Sequence, residues 1–300
     1  MDGLFGDGVA LELARGCVVV DEHFATSIPH VYAIGDLIGG AQLAHAASAQ
    51  GVAVAERLAG KARSIDVNVI PGCVYTDPEI ASAGLTEDEA KEKGIVELKD
   101  IPTAAEQYGS AHPYADKISA WQGDITRLQV GAIVNAANSQ MLGCFVPCHR
   151  CIDNAIHSAA GIELREACSH YMNRRRIQYG ARYEEPAGQA VLTEGYNLPA
   201  DYVIHTVGPI VEGSLDQKRK DELRSCYRNV LKCCVEHKIR SVAFCCISTG
   251  EFHFPNDEAA KIAVDTVTLF LREHGPAFDR IIFNVFKDTD RDLYEAEMMR

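Results

Sequence analysis

Four segments in the C-terminal two-thirds of the chain are apolar at nearly every position: 130–135, 202–207, 241–247 and 280–286. Continuous hydrophobicity, in place of strict alternation, predicts strands buried on both faces. A fifth segment, 190–196, is a weaker strand candidate. The stretches at about 151–171, 215–237 and 256–274 are amphipathic at helical spacing. From Ile118 onward strand and helix alternate, which predicts an α/β fold with helices covering both faces of one mixed sheet. Ligands of such sheets sit at the carboxyl ends of the strands.

The first hundred residues have another texture. Residues 17–21 read as a short buried strand, and 31–36 as a strand ending in Gly35-Asp36. Residues 43–58 are alanine-rich and helical in character. The charged run from Thr86 to Lys93 signals a further helix. Residues 96–119 are polar and weakly patterned, with Pro102 and Pro113 as breakers. They suit a linker, or an N-terminal extension packed on the next domain. The expected division is therefore 1–95, 96–119 and 120–300.

Composition narrows the function classes. Hydrophobic content of 47% with 24% charged residues is ordinary for a globular chain. No apolar stretch reaches the ~20 residues of a membrane span, and no secretory signal stands at the N-terminus; a cytoplasmic protein is expected. The net charge of −13 is unevenly shared. Residues 1–100 hold 16 acidic and 7 basic side chains, and the rest hold 26 and 22. Neither part offers the basic face of a nucleic-acid binder. The run Arg174-Arg175-Arg176 reads as a solvated helix end. A polyanionic ligand is still admissible if backbone N–H groups hold its phosphates. Eleven cysteines, two pairs of them adjacent in apolar segments, suit reduced core thiols plus a metal site.

Thr26-Ser-Ile-Pro-His-Val-Tyr-Ala-Ile-Gly-Asp36, Leu43-Ala-His45 and Val74-Tyr-Thr-Asp-Pro-Glu-Ile-Ala-Ser82 closely resemble dihydrolipoamide dehydrogenase. The resemblance implies that Asp36 matches the residue holding the ribityl chain of FAD, and that a dimer-interface domain opens after about Ile70. The chain has no Gly-x-Gly-x-x-Gly to seat a pyrophosphate and no closely spaced redox cysteines with this segment. A remnant or fusion boundary is the expected reading here, with retained FAD binding as the second.

At the predicted strand ends stand Gly123-Asp-Ile-Thr126, Val134-Asn-Ala-Ala-Asn138 and Ser248-Thr-Gly250, with Ala159-Ala-Gly161 between them. Asp124, expected buried at a strand end, can accept from an exocyclic amine such as adenine N6. Asn138 offers donor and acceptor to ribose hydroxyls. Ser248, Thr249 and Gly250 supply successive N–H groups before a helix start near Asn256, which suits a pyrophosphate. Four motifs in this order resemble the macrodomain family over about 121–300. The resemblance implies a three-layer α/β/α sandwich with a mixed central sheet, preceded by a partial flavoprotein-like segment. It implies ADP-ribose contacts from Asp124, Ile125, Asn138, Ser248, Thr249, Gly250, Glu251, Phe252 and Phe254. Either phenylalanine serves equally as ordinary core, and Glu251 stands where a small apolar residue is usual.

After Asn138 the chain departs from the usual glycine run and reads Leu142-Gly-Cys-Phe-Val-Pro-Cys-His-Arg-Cys-Ile-Asp-Asn154. Two thiolates and an imidazole within eight residues are a set that Zn²⁺ favours, and three protein ligands leave one position open. This loop resembles the zinc-containing macrodomain subfamily, which implies Cys144, His149 and Cys151 as ligands with Cys148 spare; a closed site including Cys148 is the alternative. Asp153 matches the position of an acidic residue near the distal ribose, with helix capping as its other reading. His157 suits packing or capping, His205 a hydrogen-bonded core position, and His253 either exposure or a role in the phosphate loop. The implied activity is zinc-dependent removal of mono-ADP-ribose from a modified side chain, with Asp153 and Asn138 catalytic. The resemblance also implies a lipoylated glycine-cleavage-type carrier as the modified protein and a sirtuin-like ADP-ribosyltransferase as functional partner. The rival reading is a module that binds ADP-ribose without cleaving it.

Overall fold

The computed structural model describes residues 11–40, 42–61, 67, 70–74, 80–82, 94–146, 149 and 151–300. The chain forms two compact units: Met1–Gly84 with Val146–Arg150, and Leu85–Phe145 with Cys151–Arg300.

The smaller unit has little regular structure. Strands β1 (Leu13–Ala14) and β2 (Cys17–Val18) form a two-residue antiparallel pair. The strand expected at 31–36 is reduced to one bridge, Ala25 to Tyr32, followed by a 3₁₀ turn at Gly35–Ile38. A strand needs neighbouring strands to take its N–H and C=O groups, and among the described residues this segment has none beyond that bridge. Helix α1 (Ala44–Leu58) turns Ala46, Ala49 and Ala53 inward. Strands β3 (Gly72–Val74) and β4 (Ile80–Ser82) pair antiparallel. Asp36 is exposed. The helix signal at 86–93 lies outside the described residues.

The larger unit begins with β5 (Val96–Glu97) and α2 (Ala104–Tyr108), then β6 (Ile118–Gln122), β7 (Leu128–Gln129) and β8 (Ala132–Ala137). Helices α3 (Ile152–Ala160) and α4 (Ile162–Tyr179) follow, with β9 (Ala190–Glu194), β10 (Tyr202–Val207) and α5 (Gln217–Glu236). Strand β11 (Ser241–Phe244), α6 (Asn256–His274), β12 (Arg280–Val285) and α7 (Asp288–Met298) complete it. The sheet order is β6-β12-β11-β8-β10-β9, all parallel except the antiparallel edge strand β9. This is the mixed sheet that the hydrophobic pattern predicts. Ile133, Val134, Val203, Ile204, Val242, Ala243, Ile281 and Ile282 are all fully buried, because helices cover both faces.

One element differs from the sequence expectation. The amphipathic stretch at 151–171 is two helices, broken at Gly161. The segment 96–119 is ordered against the sheet: β5 pairs with β7, and Ile101 and Ala104 enter the core. Thr103 caps α2 and exchanges hydrogen bonds with Glu106, a reciprocal cap whose Thr-x-x-Glu signature stands in the sequence. Tyr108 donates to Glu295 at 2.8 Å, and the Ser110 hydroxyl donates to the Met298 carbonyl at 2.6 Å, tying this extension to α7.

Candidate functional site

Parallel pairing delivers the carboxyl ends of β6, β8, β10, β11 and β12 to one rim, and the sequence-predicted residues gather there. At the end of β6, Asp124 caps a 3₁₀ turn, its Oδ1 accepting from the Thr126 N–H at 3.0 Å and hydroxyl at 2.7 Å. Asp124 is exposed, where burial was expected, because capping the turn holds it at the mouth. Ile125 sends its side chain into the core at 2% exposure, leaving only its backbone for a ligand.

Beyond β11 the chain closes a tight loop. Phe254 N–H donates to the Ser248 carbonyl and His253 N–H to that of Gly250. Among the described residues, no backbone carbonyl takes the N–H groups of Ser248, Thr249, Gly250 or Phe252. Unclaimed donors on a loop that leads into α6 suit an oxyanion. The loop is held under constraint. Ser248 has φ +67, and a Cβ on Gly208 would lie 2.0 Å from the Ser248 hydroxyl oxygen. Only glycine lets β10 and this loop approach so closely. Phe254 is 1% exposed in the core, so it cannot flank a ligand as the sequence allowed; burying that ring contributes roughly 2 kcal/mol. Phe252 is half-buried, and Glu251 and His253 are exposed.

The chemistry-bearing side chains lie at the end of β8. Asp153 is 4% exposed on the first turn of α3. The sequence left capping open for it, but Cys151 is the cap, its Sγ accepting from the Asn154 N–H at 3.4 Å. Asp153 instead points inward. Its Oδ1 accepts from Asn135 Nδ2 at 2.8 Å and its Oδ2 from Asn138 Nδ2 at 3.2 Å. Burial pushes the carboxyl up to about 6, against the opposing effects of Asn135 and Arg165. The Asn138 amide also donates to the Gly143 carbonyl, and its oxygen accepts from the Gln140 N–H. One turn along α3, His157 Nε2 lies 3.5 Å from Asp153 Oδ1. This is no ion pair: burial lowers the imidazole to about 4, so it is neutral. Gly143, at φ +82, makes room for it, since a Cβ there would lie 3.0 Å from the His157 ring. In the sequence His157 suits packing or capping; its i, i+4 spacing from Asp153 is the signal that places the two on one helix face.

On the loop between β8 and α3, the Sγ atoms of Cys144 and Cys151 and a ring nitrogen of His149 lie within 4.8 Å of one another. Tetrahedral Zn²⁺ with bonds near 2.0–2.3 Å needs donors about 3.5–3.8 Å apart, so small side-chain adjustments close this set on one ion. Burial, with the neighbouring Cys144 as a smaller effect, raises the Cys151 thiol to about 12. A cation stabilises the thiolate form and reverses that preference. The donor set therefore fits zinc. Cys148 lies outside the described residues. Arg165 stacks over the Phe145 ring at 4.7 Å beside the loop.

Comparison with known proteins matches two families along the chain. The Macro domain family matches residues 134–263. The Pyridine nucleotide-disulphide oxidoreductase family matches residues 2–51, and its dimerisation domain residues 70–165, running on into the larger unit. A Protein-ADP-ribose hydrolase of Staphylococcus aureus is 41% identical over 234 residues, 78% of this chain and 82% of that protein. A Protein-ADP-ribose hydrolase of Treponema medium is 43% identical over 212 residues, 71% of this chain and 76% of that protein. Among solved structures, the Trypanosoma brucei macrodomain in complex with ADP-ribose superposes with TM-score 0.55 at 35% identity, over 67% of this chain and 76% of that one. Among the described residues no helix is long and apolar enough to cross a membrane.

Proposed function

The chain belongs to the macrodomain family, and from that premise we propose that it is a hydrolase that releases mono-ADP-ribose from a modified protein side chain. The observation that carries this reading is the buried Asp153 carboxylate, gripped on both oxygens by Asn135 and Asn138 at the rim where β8 ends. The reaction breaks the bond between C1″ of the distal ribose and the side-chain oxygen. Water supplies the oxygen that joins C1″, and the proton it gives up to Asp153 is returned to the released side chain. Asp153 orients that water and takes its proton. Asn138 positions the ribose hydroxyls, the free N–H groups of Ser248, Thr249 and Gly250 hold the pyrophosphate, and Asp124 receives the adenine amine.

Cys144, His149 and Cys151 are proposed to hold Zn²⁺. Bound there, the metal supplies a Lewis acid and a water of lowered pKa beside the distal ribose. The lipoylated glycine-cleavage-type carrier and the sirtuin-like transferase implied by the sequence are proposed as substrate and modifying enzyme; hydrolase activity on other ADP-ribosylated proteins and none on the carrier overturns that assignment.

The test follows ADP-ribose release from a mono-ADP-ribosylated protein, with metal content measured before and after chelation. Release by the metal-loaded protein, lost on chelation while free ADP-ribose still binds, supports the whole reading. Release that chelation leaves intact removes the metal from it. Binding without release in either state makes the protein a reader instead.

A further inference from the structure

Beneath Asp153 runs a line of buried polar groups that the reaction does not touch. In the parallel register of β8 and β10, Asn135 and His205 are direct partners and present their side chains on the same face of the sheet. Both are 0% exposed. Asn135 Nδ2 lies 2.8 Å from Asp153 Oδ1 and 3.1 Å from His205 Nδ1. On the far side of the ring, His205 Nε2 lies 3.0 Å from the Thr193 hydroxyl oxygen on edge strand β9, and that hydroxyl reaches the Val203 carbonyl at 3.3 Å.

We infer that His205 is a positioning residue: as the Nε2–H tautomer it locks the Asn135 amide, and through it the Asp153 carboxylate. The direction of every bond is fixed by its chemistry. Asp153 accepts, so Asn135 must turn its NH₂ toward it, and the second hydrogen of that NH₂ points at His205 Nδ1. Nδ1 is therefore the acceptor nitrogen, and the ring's hydrogen sits on Nε2. Thr193 takes that hydrogen and passes its own to the Val203 carbonyl. Cys168 Sγ, 3.7 Å from Nε2, is a weaker neighbour. Burial, with His157 as a smaller effect, drives His205 down to about 3, so the ring stays neutral and the pattern does not reverse near neutrality. Flipping Asn135 would set its carbonyl against the carboxylate with no other donor to compensate, since its Oδ1 has no partner now. The line ends on backbone, so the rigidity of the sheet is conveyed to one carboxylate oxygen.

This inference rests on the hydrolase reading, and its test separates the two. In uniformly ¹⁵N-labelled protein, the His205 ring nitrogens should report the Nε2–H tautomer, whatever the protein does to a substrate. The Nδ1–H tautomer would overturn the relay. His205→Leu should lower kcat about 10- to 100-fold, the usual range for a group that orients a functional one. Its ADP-ribose affinity should stay within about threefold, because the nucleotide contacts are elsewhere. His205→Asn, whose Oδ1 replaces the acceptor, should recover most of that loss. Asn135→Leu should match His205→Leu, and combining the two should cost no more than Asn135→Leu alone. Unchanged kcat in folded His205→Leu refutes the inference, as does equal loss of kcat and affinity. If the unsubstituted protein turns nothing over, the hydrolase reading fails and the tautomer alone decides the relay.

Discussion

The two sides of the strand rim are built by opposite means. On the side proposed for the phosphates, the loop 248–254 turns Phe254 and Ser248 inward, leaves Glu251 exposed, and offers its backbone N–H groups. On the side proposed for the distal ribose, side chains supply the polar groups: the buried Asn135, Asp153 and His157 and the half-buried Asn138 converge. On the proposed reading, backbone recognition lets a domain of net negative charge hold a pyrophosphate, since peptide dipoles carry no formal charge. It also makes that side insensitive to most surface substitutions but intolerant of any change in backbone path. The ribose side has the reverse sensitivity, where exchange of a single atom in a carboxylate matters.

Substitutions sharpen that contrast, and the largest effect should come from Asp153→Asn. Turnover should fall by about 10³-fold or more, in the range lost when a general base is removed, while ADP-ribose affinity changes little. Parallel calorimetry and release assays check this, and a matched loss of affinity would merge the two sides. Gly208→Val tests the other side. Its side chain occupies the space of the Ser248 hydroxyl, so the loop must shift and ADP-ribose affinity should drop by about 100-fold, given a few kcal/mol of lost backbone contacts. Wild-type affinity in this variant would mean that the loop is not the phosphate site. Cys151→Ser should reduce bound zinc to well below one equivalent and lower kcat about 10- to 100-fold with binding retained, read by elemental analysis and release kinetics. Phe254→Ala should cost about 3–5 kcal/mol of stability, seen in the denaturant midpoint, since it empties a core position and removes no ligand-stacking surface. Glu251→Ala should be the mildest, changing ADP-ribose affinity less than about threefold, because the side chain is exposed at the loop tip.

Much of this architecture could be read from residue order. The buried-strand pattern at 130–135, 202–207 and 280–286 corresponds to β8, β10 and β12 within two residues, because bilateral burial demands uninterrupted apolar side chains. Helices α5 and α6 begin and end within two residues of their predicted spans. The strand at 31–36 was misread for the converse reason. Its five apolar and small residues before Asp36 look like any other strand, but pairing is supplied by neighbours distant in sequence. Ile125 and Phe254 illustrate the same limit at the site. Both sit in motif positions that suggest ligand contact, yet both side chains fill the core, and composition does not say which way a loop residue turns.

The sequence by itself determined the chemical inventory: the thiols and imidazole of the loop 144–151, the paired asparagines of β8, the acidic Asp153, and the Ser-Thr-Gly turn. It also determined the alternation of strand and helix, since periodicity is a local property of the chain. Tertiary structure alone decided which atoms meet. Asp153 is bonded to Asn135, 18 residues away, and through it to His205, 70 residues from Asn135, because β8 and β10 are adjacent in parallel register. Register is set by the packing of two whole strands, so a slip of one residue would send Asn135 to the opposite face and strip Asp153 Oδ1 of its Asn135 donor.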